Sequence, residues 1–466
     1  MTPYSVSFER SADRSPFVLT AGTHFRFDID QFERFFQKAI PARCVDLLRI
    51  AAAVYAVDRL VGRRQRDQAR FWSRTLKLNI GMVDPAFWAR PNVQESLIDT
   101  LEFLSDDTWD ISFSKDDQRP RREIQHSLFD VSGESLFCLY SGGLDSAAGL
   151  VNRVASAPTR PVVPVTVWHQ PIQRKLVRRQ FELLSHRFGT DITPLVVKSA
   201  LIWTPEMKGR FREERTQRSR SFLFTATGAV AMAMAGGAET ELYESGIGAI
   251  NLPLMSGMVG SRTTRSAHPE FLRRMAGLME LVLERPMSFA LPFGLLTKGE
   301  VVARAKQAGC EDVAEITVSC VHYPLRESNA KQCGVCPACL FRRQSLSVAE
   351  LRESAATYKY DLFENVEAAN RVPAQRLHYL KAFLDQVVQL EGVQENQPLP
   401  LRIRRHLVGT GVLANGDRVN SVVRLLRTYR DEWRETIAQA QGRGISWTKL
   451  MGRPTPLTEG ATHAVA

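Results

Sequence analysis

The chain has 466 residues, which is too long for one ordinary domain and predicts two or three. Its hydrophobic fraction of 44% and charged fraction of 24% are those of a soluble globular protein with a sizeable core. The formal net charge of +11 favours an anionic partner, such as a nucleotide, a nucleic acid or an acidic surface, although no single basic block dominates the sequence.

The sequence contains no export or membrane signal that we recognise. Its first residues, MTPYSVSFERSADRS, lack a basic region followed by an apolar one. The longest apolar stretch, 225–238, is too short to cross a bilayer and is predicted to be a buried helix. We therefore expect a cytoplasmic protein without membrane contact.

Two extensions are predicted to flank a central segment. Residues 1–130 are predicted to be α+β, because ARCVDLLRIAAAVYAVDRLVG has helical periodicity whereas RTLKLNIGMV and DTWDISFSK alternate like strands. The polar stretch KDDQRPRREIQHS is predicted to be the linker. Residues 349–466 are predicted to be mainly helical from the periodicity of QRLHYLKAFLDQVVQL and VVRLLRTYRDEWRETIAQAQ, with a frayed tail.

The central segment, 131–348, alternates between strand and helix patterns. The strand patterns are SLFCLY, PVVPVTVW, TPLVVK and ETELYESG, and the helical ones are LDSAAGLVNRVASA, PIQRKLVRRQFELLSHRFG and RSRSFLFTATGAVAMAMAGG. Such alternation predicts an α/β fold with a doubly wound parallel sheet and helices on both faces. Pro164 indicates that the second strand is irregular or near an edge.

The first of these strands runs into a helix through Ser141, Gly142 and Gly143. Such a turn places free backbone N–H groups and the positive end of the helix dipole together, and glycine lets a bulky phosphate approach the backbone. Asp145 would repel an anion unless it holds Mg²⁺ or positions the loop. The alternative is an ordinary turn in which Asp145 or Ser146 caps the helix.

Four of the seven cysteines cluster near the end of the central segment. The two-residue gaps in CGVCPAC let thiolates meet at one tetrahedral ion, and a fourth cysteine lies upstream. We predict a structural zinc site formed by Cys320, Cys333, Cys336 and Cys339. The alternatives are a redox CxxC motif and an iron–sulfur cluster, and His322 is a substitute ligand to consider.

The stretch SGGLDS resembles the pyrophosphate loop of the PP-loop ATPases. That family cleaves ATP between its α- and β-phosphates and adenylates an oxygen of its substrate. The resemblance implies that ATP and Mg²⁺ are bound at the loop, and that Asp145 and Ser146 take part in catalysis. The loop residues carried over are Ser141, Gly142, Gly143, Asp145 and Ser146.

The loop, the Cys…CGxCxxC pattern and the arginine-rich LFRRQSL together resemble the QueC-type enzymes, the 7-cyano-7-deazaguanine synthases, over residues 135–347. That family activates 7-carboxy-7-deazaguanine with ATP and converts the acid to an amide and then a nitrile with ammonia. The resemblance implies a PP-loop α/β domain with a structural zinc ion. It also assigns Lys298 to the substrate or phosphate side and to catalysis, although Thr297 and Glu300 are explained equally by a capping box.

The chain departs from the QueC pattern where the substrate is expected. An Arg-Asn pair of the family stands here as Arg220 and Ser221, and the Gly-x-Asn-Ala-x-Asp stretch keeps Gly246 but has Gly248 and Asn251 in place of the amide and the carboxylate. Arg220 and Gly246 are still expected at the nucleotide. The lost carboxylate removes an acceptor for a guanine-like N–H edge.

The next segment has its own polar residues, which either hold a carboxylate or phosphate or form a solvated basic loop. They are Arg262, Thr263, Thr264, Arg265 and His268. The layout of the chain resembles QueC-like proteins of bacterial anti-phage defence systems, such as QatC, which implies modification of a macromolecule and extensions that bind protein partners of the same operon.

Three functions stay open at this point. The first is ATP-dependent adenylation of a 7-deazaguanine carboxylate, the second is a PP-loop enzyme that modifies tRNA, and the third is a non-catalytic nucleotide-binding scaffold. The amine acceptor, which is ammonia, a protein or a nucleic acid, and the oligomeric state are not determined by the sequence.

Overall fold

The computed structural model describes residues 5–10, 16–63, 73–116, 131–214, 216–252, 265–325, 328–413 and 418–452. The strands are β1 (Ser5–Arg10), β2 (Phe17–Thr20), β3 (Phe25–Phe27), β4 (Thr75–Met82), β5 (Thr108–Lys115), β6 (Leu136–Leu139), β7 (Val162–Trp168), β8 (Leu195–Leu201), β9 (Glu239–Leu242) and β10 (Ser288–Ala290).

The α-helices of the N-terminal and central parts are α1 (Asp30–Phe36), α2 (Ala42–Leu60), α3 (Pro85–Trp88), α4 (Pro91–Ser105), α5 (Leu144–Ser156), α6 (Pro171–Phe188), α7 (Pro205–Arg210), α8 (Arg220–Met234), α9 (Gly246–Ile250), α10 (Pro269–Leu283), α11 (Lys298–Gln307) and α12 (Pro337–Val348). Those of the C-terminal part are α13 (Val366–Asn370), α14 (His378–Leu390), α15 (Leu401–Gly409), α16 (Val419–Gly442) and α17 (Trp447–Met451). Within the described ranges, no helix has both the length and the apolarity to span a bilayer.

The described N-terminal residues form a four-stranded sheet with the order β2-β1-β4-β5. β1 is antiparallel to β2 and β4, whereas β4 and β5 run parallel. The predicted helix and strands of this part correspond to α2, β4 and β5. In β4 the alternation arises because Leu76, Leu78 and Ile80 are buried. Most of the predicted linker, residues 117–127, lies outside the described residues.

A second sheet, as far as the structure describes the chain, has the order β10-β9-β6-β7-β8-β3. The five strands of the central segment are parallel, as predicted, and β3 from the N-terminal part pairs antiparallel with β8 at the edge. The order of the strands along the chain reverses between β6 and β9. The carboxyl ends of strands at such a reversal form the crevice in which α/β proteins bind ligands.

Helices cover both faces of this sheet. One face packs on α8, which is backed by α2 and α10, and the other packs on the layer of α5, α6 and α11. Consecutive residues of β6 point to opposite sides, since Phe137 joins the first core whereas Leu136 and Cys138 join the second. Burial on both faces explains why the strand patterns are continuous apolar runs.

Pro164 lies in an interior strand, so the prediction that its strand is near an edge is wrong. β7 runs between β6 and β8, with Pro164 opposite Cys138 of β6. On the β8 side, one bridge joins Val162 to Ile192 and the continuous ladder starts only at Val165. The missing N–H of proline falls in this interruption, which is the irregularity that the sequence also indicated.

The described C-terminal residues are helical and pack around the cysteine cluster. α16 lies against α12 and α14 and reaches α9, whose Ile247 and Ile250 join the same apolar core as the cysteines. The core beneath the central sheet likewise includes residues of α2 and β4. Apolar packing is thus continuous across both predicted boundaries, and the division of the chain at 130 and 348 stays a prediction.

Candidate functional site

The glycine turn lies at the carboxyl end of β6, where the strand order reverses. Gly143 is the N-cap of α5 and forms no side-chain cap hydrogen bond. Ser146 Oγ donates instead to the carbonyl of Gly143 at 3.0 Å and lies 3.2 Å from Ser141 Oγ. The alternative in which Asp145 or Ser146 caps the helix is therefore wrong. The N–H of Gly143 lies 3.3 Å from Ser141 Oγ, so a backbone N–H and the two hydroxyls lie close together at this turn, an arrangement that suits an anion.

Gly142 requires glycine for two reasons. Its φ is +81°, which L side chains rarely adopt, and a Cβ would lie 3.0 Å from Cγ1 of Val177. Its carbonyl accepts hydrogen bonds from Nε2 of Gln180 at 3.1 Å and from the N–H of Val318 at 3.3 Å. α6 and the segment before the cysteines therefore hold the turn in shape.

We expect Gly142→Ala to lower the free energy of unfolding by about 1–2 kcal/mol, because alanine is strained at positive φ. Urea denaturation followed by circular dichroism measures this change. Gly209→Ala is the matched control, since a Cβ there meets nothing within 4 Å, and alanine in a helix should raise stability by up to about 1 kcal/mol. Equal stability of Gly142→Ala and the unmodified chain would contradict the argument.

The structure brings two predicted site residues together. Nζ of Lys298 lies 2.7 Å from Oδ2 of Asp145 and 4.3 Å from the centroid of the Phe341 ring. Only 5% of Lys298 is exposed, so its ammonium group is fixed beside the first turn of α5. Thr297 and Glu300 form the capping box that the sequence allowed, and this cap directly precedes and supports the lysine.

Glu244 is a site residue that the sequence interpretation missed. It follows β9, the neighbour of β6 at the reversal of strand order. Burial and the nearby Asp145 carboxylate raise the pKa of Glu244 to about 8, although Lys298 opposes the shift. A Cβ at Gly248 would lie 2.0 Å from Oε1 of Glu244, so this glycine makes room for the carboxylate. The segment ETELYESG held the signal, because it has an acid just beyond the carboxyl end of a strand.

The raised pKa of Glu244 predicts a pH dependence of stability. The folded state keeps this proton up to about pH 8, whereas the unfolded chain releases it near 4.5. Glu244 therefore stabilises the fold fully below the lower value, and the stabilisation is lost as the pH rises through the higher one. We expect the urea midpoint of the unmodified chain to fall relative to that of Glu244→Gln across this range. Parallel curves for Glu244→Gln and the unmodified chain would exclude the shift.

Gly246 and Arg220 have structural partners of their own. A Cβ at Gly246 would lie 2.5 Å from the carbonyl oxygen of Gly294 and 2.5 Å from Cδ2 of Leu425, so packing explains this glycine. The guanidinium of Arg220 lies 4.8 Å from the Phe224 ring centroid, and burial lowers the pKa of Arg220. In the part of the chain that the structure describes, no hydrogen bond or ion pair joins either residue to the glycine turn. Their place at the nucleotide stays a prediction.

The structure describes only part of the polar segment 262–268, which follows the stretch where the chain differs from the QueC pattern. Three of its members lie outside the described residues: Arg262, Thr263 and Thr264. Arg265 pairs with Asp106 of the N-terminal part at 2.8 Å. His268 is 1% exposed, its Nδ1 accepts the N–H of Glu270 at the start of α10, and burial lowers the pKa of His268 to about 4. The two described members therefore have structural partners within the protein.

The four cysteines form one compact, buried cluster whose Sγ atoms all lie within 4.8 Å of one another. The Sγ atoms of Cys333 and Cys339 are 3.8 Å apart, which is about the edge of a tetrahedron with metal–sulfur bonds of 2.3 Å. The N–H groups of Cys333 and Cys336 donate to sulfur at 3.3 Å. His322 is exposed and does not belong to the cluster.

This donor set fits Zn²⁺. Four negatively charged thiolates this close together would repel one another, so they require a cation between them. Four sulfurs fill a tetrahedral shell and leave no position for substrate, which is the arrangement of a structural site. Zinc held by Cys320, Cys333, Cys336 and Cys339 would supply a cross-link rather than a reaction.

The arginine-rich helix α12 connects the cysteine cluster to the glycine turn. Arg342 is fully buried and pairs with Glu353 at 2.7 Å. Its Nη1 donates to Oγ1 of Thr317 at 2.9 Å and to Oγ of Ser319 at 3.3 Å. Ser319 Oγ also accepts the N–H of Leu144, the first residue of α5, at 3.3 Å. One buried arginine thus links the helix that follows the cysteines to the N-terminal end of α5.

Comparison with known protein families finds a match over part of this chain. The family model described as queuosine biosynthesis protein QueC matches residues 264–350. The match includes α10, α11, the cysteine cluster and α12, but not the glycine turn, residues 1–130 or residues 351–466. It supports a QueC-like family and a synthase of that type. No curated protein and no solved structure matches the chain.

Proposed function

We propose that this chain is an ATP-dependent, AMP-forming synthase of the PP-loop type that adenylates the carboxylate of a 7-deazaguanine-type small molecule. One observation carries the proposal. Lys298, inside the segment that matches the QueC family, lies 2.7 Å from Asp145 of the glycine turn outside that segment. Two motifs far apart in the sequence therefore contribute to one site, at the strand-order reversal where ligands bind in α/β folds.

ATP is the substrate that this site would bind through its phosphates. The N–H groups of the glycine turn and the hydroxyl of Ser141 donate to the pyrophosphate end. Ser146 turns its hydroxyl proton from the Gly143 carbonyl to the same phosphates, and Lys298 exchanges Asp145 for a phosphate oxygen. A carboxylate oxygen of the second substrate attacks the α-phosphorus, and pyrophosphate leaves with the electron pair of the broken P–O bond. Asp145 is the carboxylate placed to hold Mg²⁺, which when bound offsets the charge of the leaving group.

The adenylated acid then reacts with an amine. The amine nitrogen attacks the acyl carbon, the C–O bond to AMP breaks, and the amine gives up a proton as AMP leaves. Ammonia and the amines of a protein or nucleic acid partner are the candidate acceptors. An enzyme thiol is poorly suited to this step, because burial raises the pKa of Cys138 to about 12 and that of Cys310 to about 11.

ATP–pyrophosphate exchange tests the proposal. Zinc-loaded protein with Mg²⁺ and labelled pyrophosphate should return label to ATP when 7-carboxy-7-deazaguanine is present, and should not do so with the analogue that lacks the carboxylate. ATP binding without exchange or AMP formation would favour a nucleotide-binding scaffold instead. If the chain acts in a defence operon, mass spectrometry with the neighbouring gene products should detect a deazaguanine adduct on protein or nucleic acid.

A second candidate function, modification of a nucleic acid such as tRNA, is favoured by one helix. α6 follows β7 and exposes four basic side chains with no acidic residue between them: Arg174, Lys175, Arg178 and Arg179. Val177, on its buried side, packs against the glycine turn. Arg174 and Lys198 lie 5.7 and 5.3 Å from the Trp168 ring centroid. Basic and aromatic groups thus border the site, as in surfaces that bind single strands.

Salt-dependent binding of labelled tRNA checks this second candidate. Replacement of all four α6 residues by glutamine should lower the slope of log K against log salt by about 3–4, because each cation neutralises one phosphate. The matched control is the basic face of α15, with glutamine at Arg402, Arg404 and Arg405. Equal losses in both variants, or binding that does not depend on salt, would rule out α6 as the nucleic-acid surface.

A further inference from the structure

A buried carboxylate of the C-terminal part reaches the helix that carries Lys298. Glu432 of α16 is only 6% exposed. One of its oxygens accepts the hydroxyl proton of Thr297, and the other accepts a hydrogen bond from Nε2 of Gln344 at 3.0 Å. A Cβ at Gly299 would lie 2.6 Å from Oε1 of Glu432. Glycine at this position therefore lets the carboxylate approach the N-terminal end of α11.

The Thr297 hydroxyl makes two hydrogen bonds at this point. As the N-cap of α11 it accepts the N–H of Glu300 at 3.1 Å, and it donates its own proton to Glu432. The donated bond fixes the rotation of the hydroxyl, so that its lone pair is directed at the helix. The carboxylate also lies at the positive end of the helix dipole. Arg424 of α16 pairs with Glu300 at 2.8 Å, so α16 contacts both side chains of the capping box.

Lys298 is the next residue, and its position follows from this helix end. Its Nζ is held between Oδ2 of Asp145 at 2.7 Å and the Phe341 ring at 4.3 Å. A shift of about 1 Å at the start of α11 would separate the ammonium group from the glycine turn, and displacements of that size cost large factors in rate.

Apolar packing alone does not explain why a carboxylate stands at position 432. Burial raises the pKa of Glu432 to about 7 in spite of its two hydrogen bonds. Leu425, Tyr429 and Trp433 already give α16 an apolar contact surface. A buried charge stabilises the packing of two helices less than apolar groups of similar volume do, because the charge must be removed from water. The carboxylate contributes what those groups lack, which is an acceptor for the Thr297 hydroxyl.

We propose that Glu432 is a positioning residue, which fixes the N-terminal end of α11 through Thr297 and thereby holds Lys298 at the glycine turn. The proposal deepens the proposed function, on which the role of Lys298 in binding ATP rests. It makes the C-terminal part a component of the site.

Lysine labelling tests the positioning without any need for activity. The zinc-loaded full chain is treated briefly with an acetylating reagent, and peptide mass spectrometry compares Lys298 with Lys306, the internal reference at the other end of α11. We expect Glu432→Met, which removes both acceptor oxygens, to raise the labelling rate of Lys298 at least fivefold and to leave Lys306 unchanged. Thr297→Val should reproduce this result, whereas Thr297→Ser, which keeps the hydroxyl, should behave like the unmodified chain.

The outcomes separate positioning from attachment. If Lys298 and Lys306 become reactive together, Glu432 only attaches the C-terminal part, and if neither changes, Lys298 does not depend on Glu432; both results overturn the proposal. Where the unmodified chain catalyses exchange, Glu432→Met should lower the exchange rate more than tenfold and have no further effect in a Lys298→Met background. An unmodified chain without exchange would count against the proposed function and leave the labelling result intact.

Discussion

Replacement of Cys336 by serine is expected to release zinc and to unfold the C-terminal helices together with the cysteine loop. The cysteines share one apolar core with Leu340, Phe383 and Trp433, so they are not a separate module. A structural zinc site contributes on the order of 10 kcal/mol, which is comparable with the total stability of about 5–15 kcal/mol typical of a domain. The loss of one thiolate therefore removes more than this core can supply by packing.

Zinc content and tryptophan fluorescence measure the expected unfolding. Trp433 and Trp447 both lie in the core around the cysteines and report its opening directly. Cys310→Ser is the matched control, because Cys310 is also fully buried but lies outside the cluster and has Arg187 as a hydrogen-bond partner at 3.2 Å. A Cys336→Ser protein that lacks zinc but keeps the native fluorescence and protease resistance of the C-terminal part would contradict the expectation.

The same substitution should weaken ATP binding. Arg342 lies in the helix that begins beside the cysteines, and it holds Ser319, which accepts the N–H of Leu144 at the start of α5. If loss of zinc displaces α12, Arg342 no longer holds Ser319, and the N-terminal end of α5 loses this contact. Isothermal titration with ATP should show the loss in Cys336→Ser and not in Cys310→Ser.

The sequence predicts best what depends on neighbouring residues. The strand and helix patterns of the central segment, the four-cysteine cluster and the capping box at Thr297 all arise from spacings within a few residues. They correspond to β6 to β9, α5, α6, α8 and α11, and to the buried sulfur cluster. The parallel sheet follows from their alternation, since parallel strands need a crossover between them.

Contacts between distant parts of the chain leave no such local pattern. The pairing of β3 with β8 joins the N-terminal part to the central sheet, although Phe25–Phe27 has too few residues to show a period. Glu244 gains its environment from Asp145, and Glu432 gains its own from Thr297, each through tertiary packing. In the structure, Gly248 makes room for the carboxylate of Glu244, and Gly299 makes room for that of Glu432. These pairs of a glycine and a carboxylate are brought together by folding, so the spacing of residues along the chain does not reveal them.

Asp145→Asn is expected to lower the exchange rate by about 10²–10³, the usual effect of removing one charge that acts on the transition state. The affinity for ATP should change much less. The substitution removes the ion-pair partner of Lys298, which frees the ammonium group for a phosphate, and it also removes a negative charge from beside the triphosphate. These gains offset the loss of a carboxylate for Mg²⁺, so the defect should lie in the chemical step.

Exchange kinetics together with ATP titration test this separation of rate from binding. Asp30→Asn is the matched control, because Asp30 is likewise an acid in the first turn of a helix but belongs to α1 of the N-terminal part. It removes the same charge from the same type of position, so any shared effect reflects net charge or the helix dipole alone. An Asp145→Asn protein that exchanges within about threefold of the unmodified rate would show that Asp145 only holds Lys298 when the nucleotide is absent. In that case Lys298 and Glu244 would be the remaining candidates for catalytic residues. An ordinary strand-to-helix turn has no such buried lysine and carboxylate beside it.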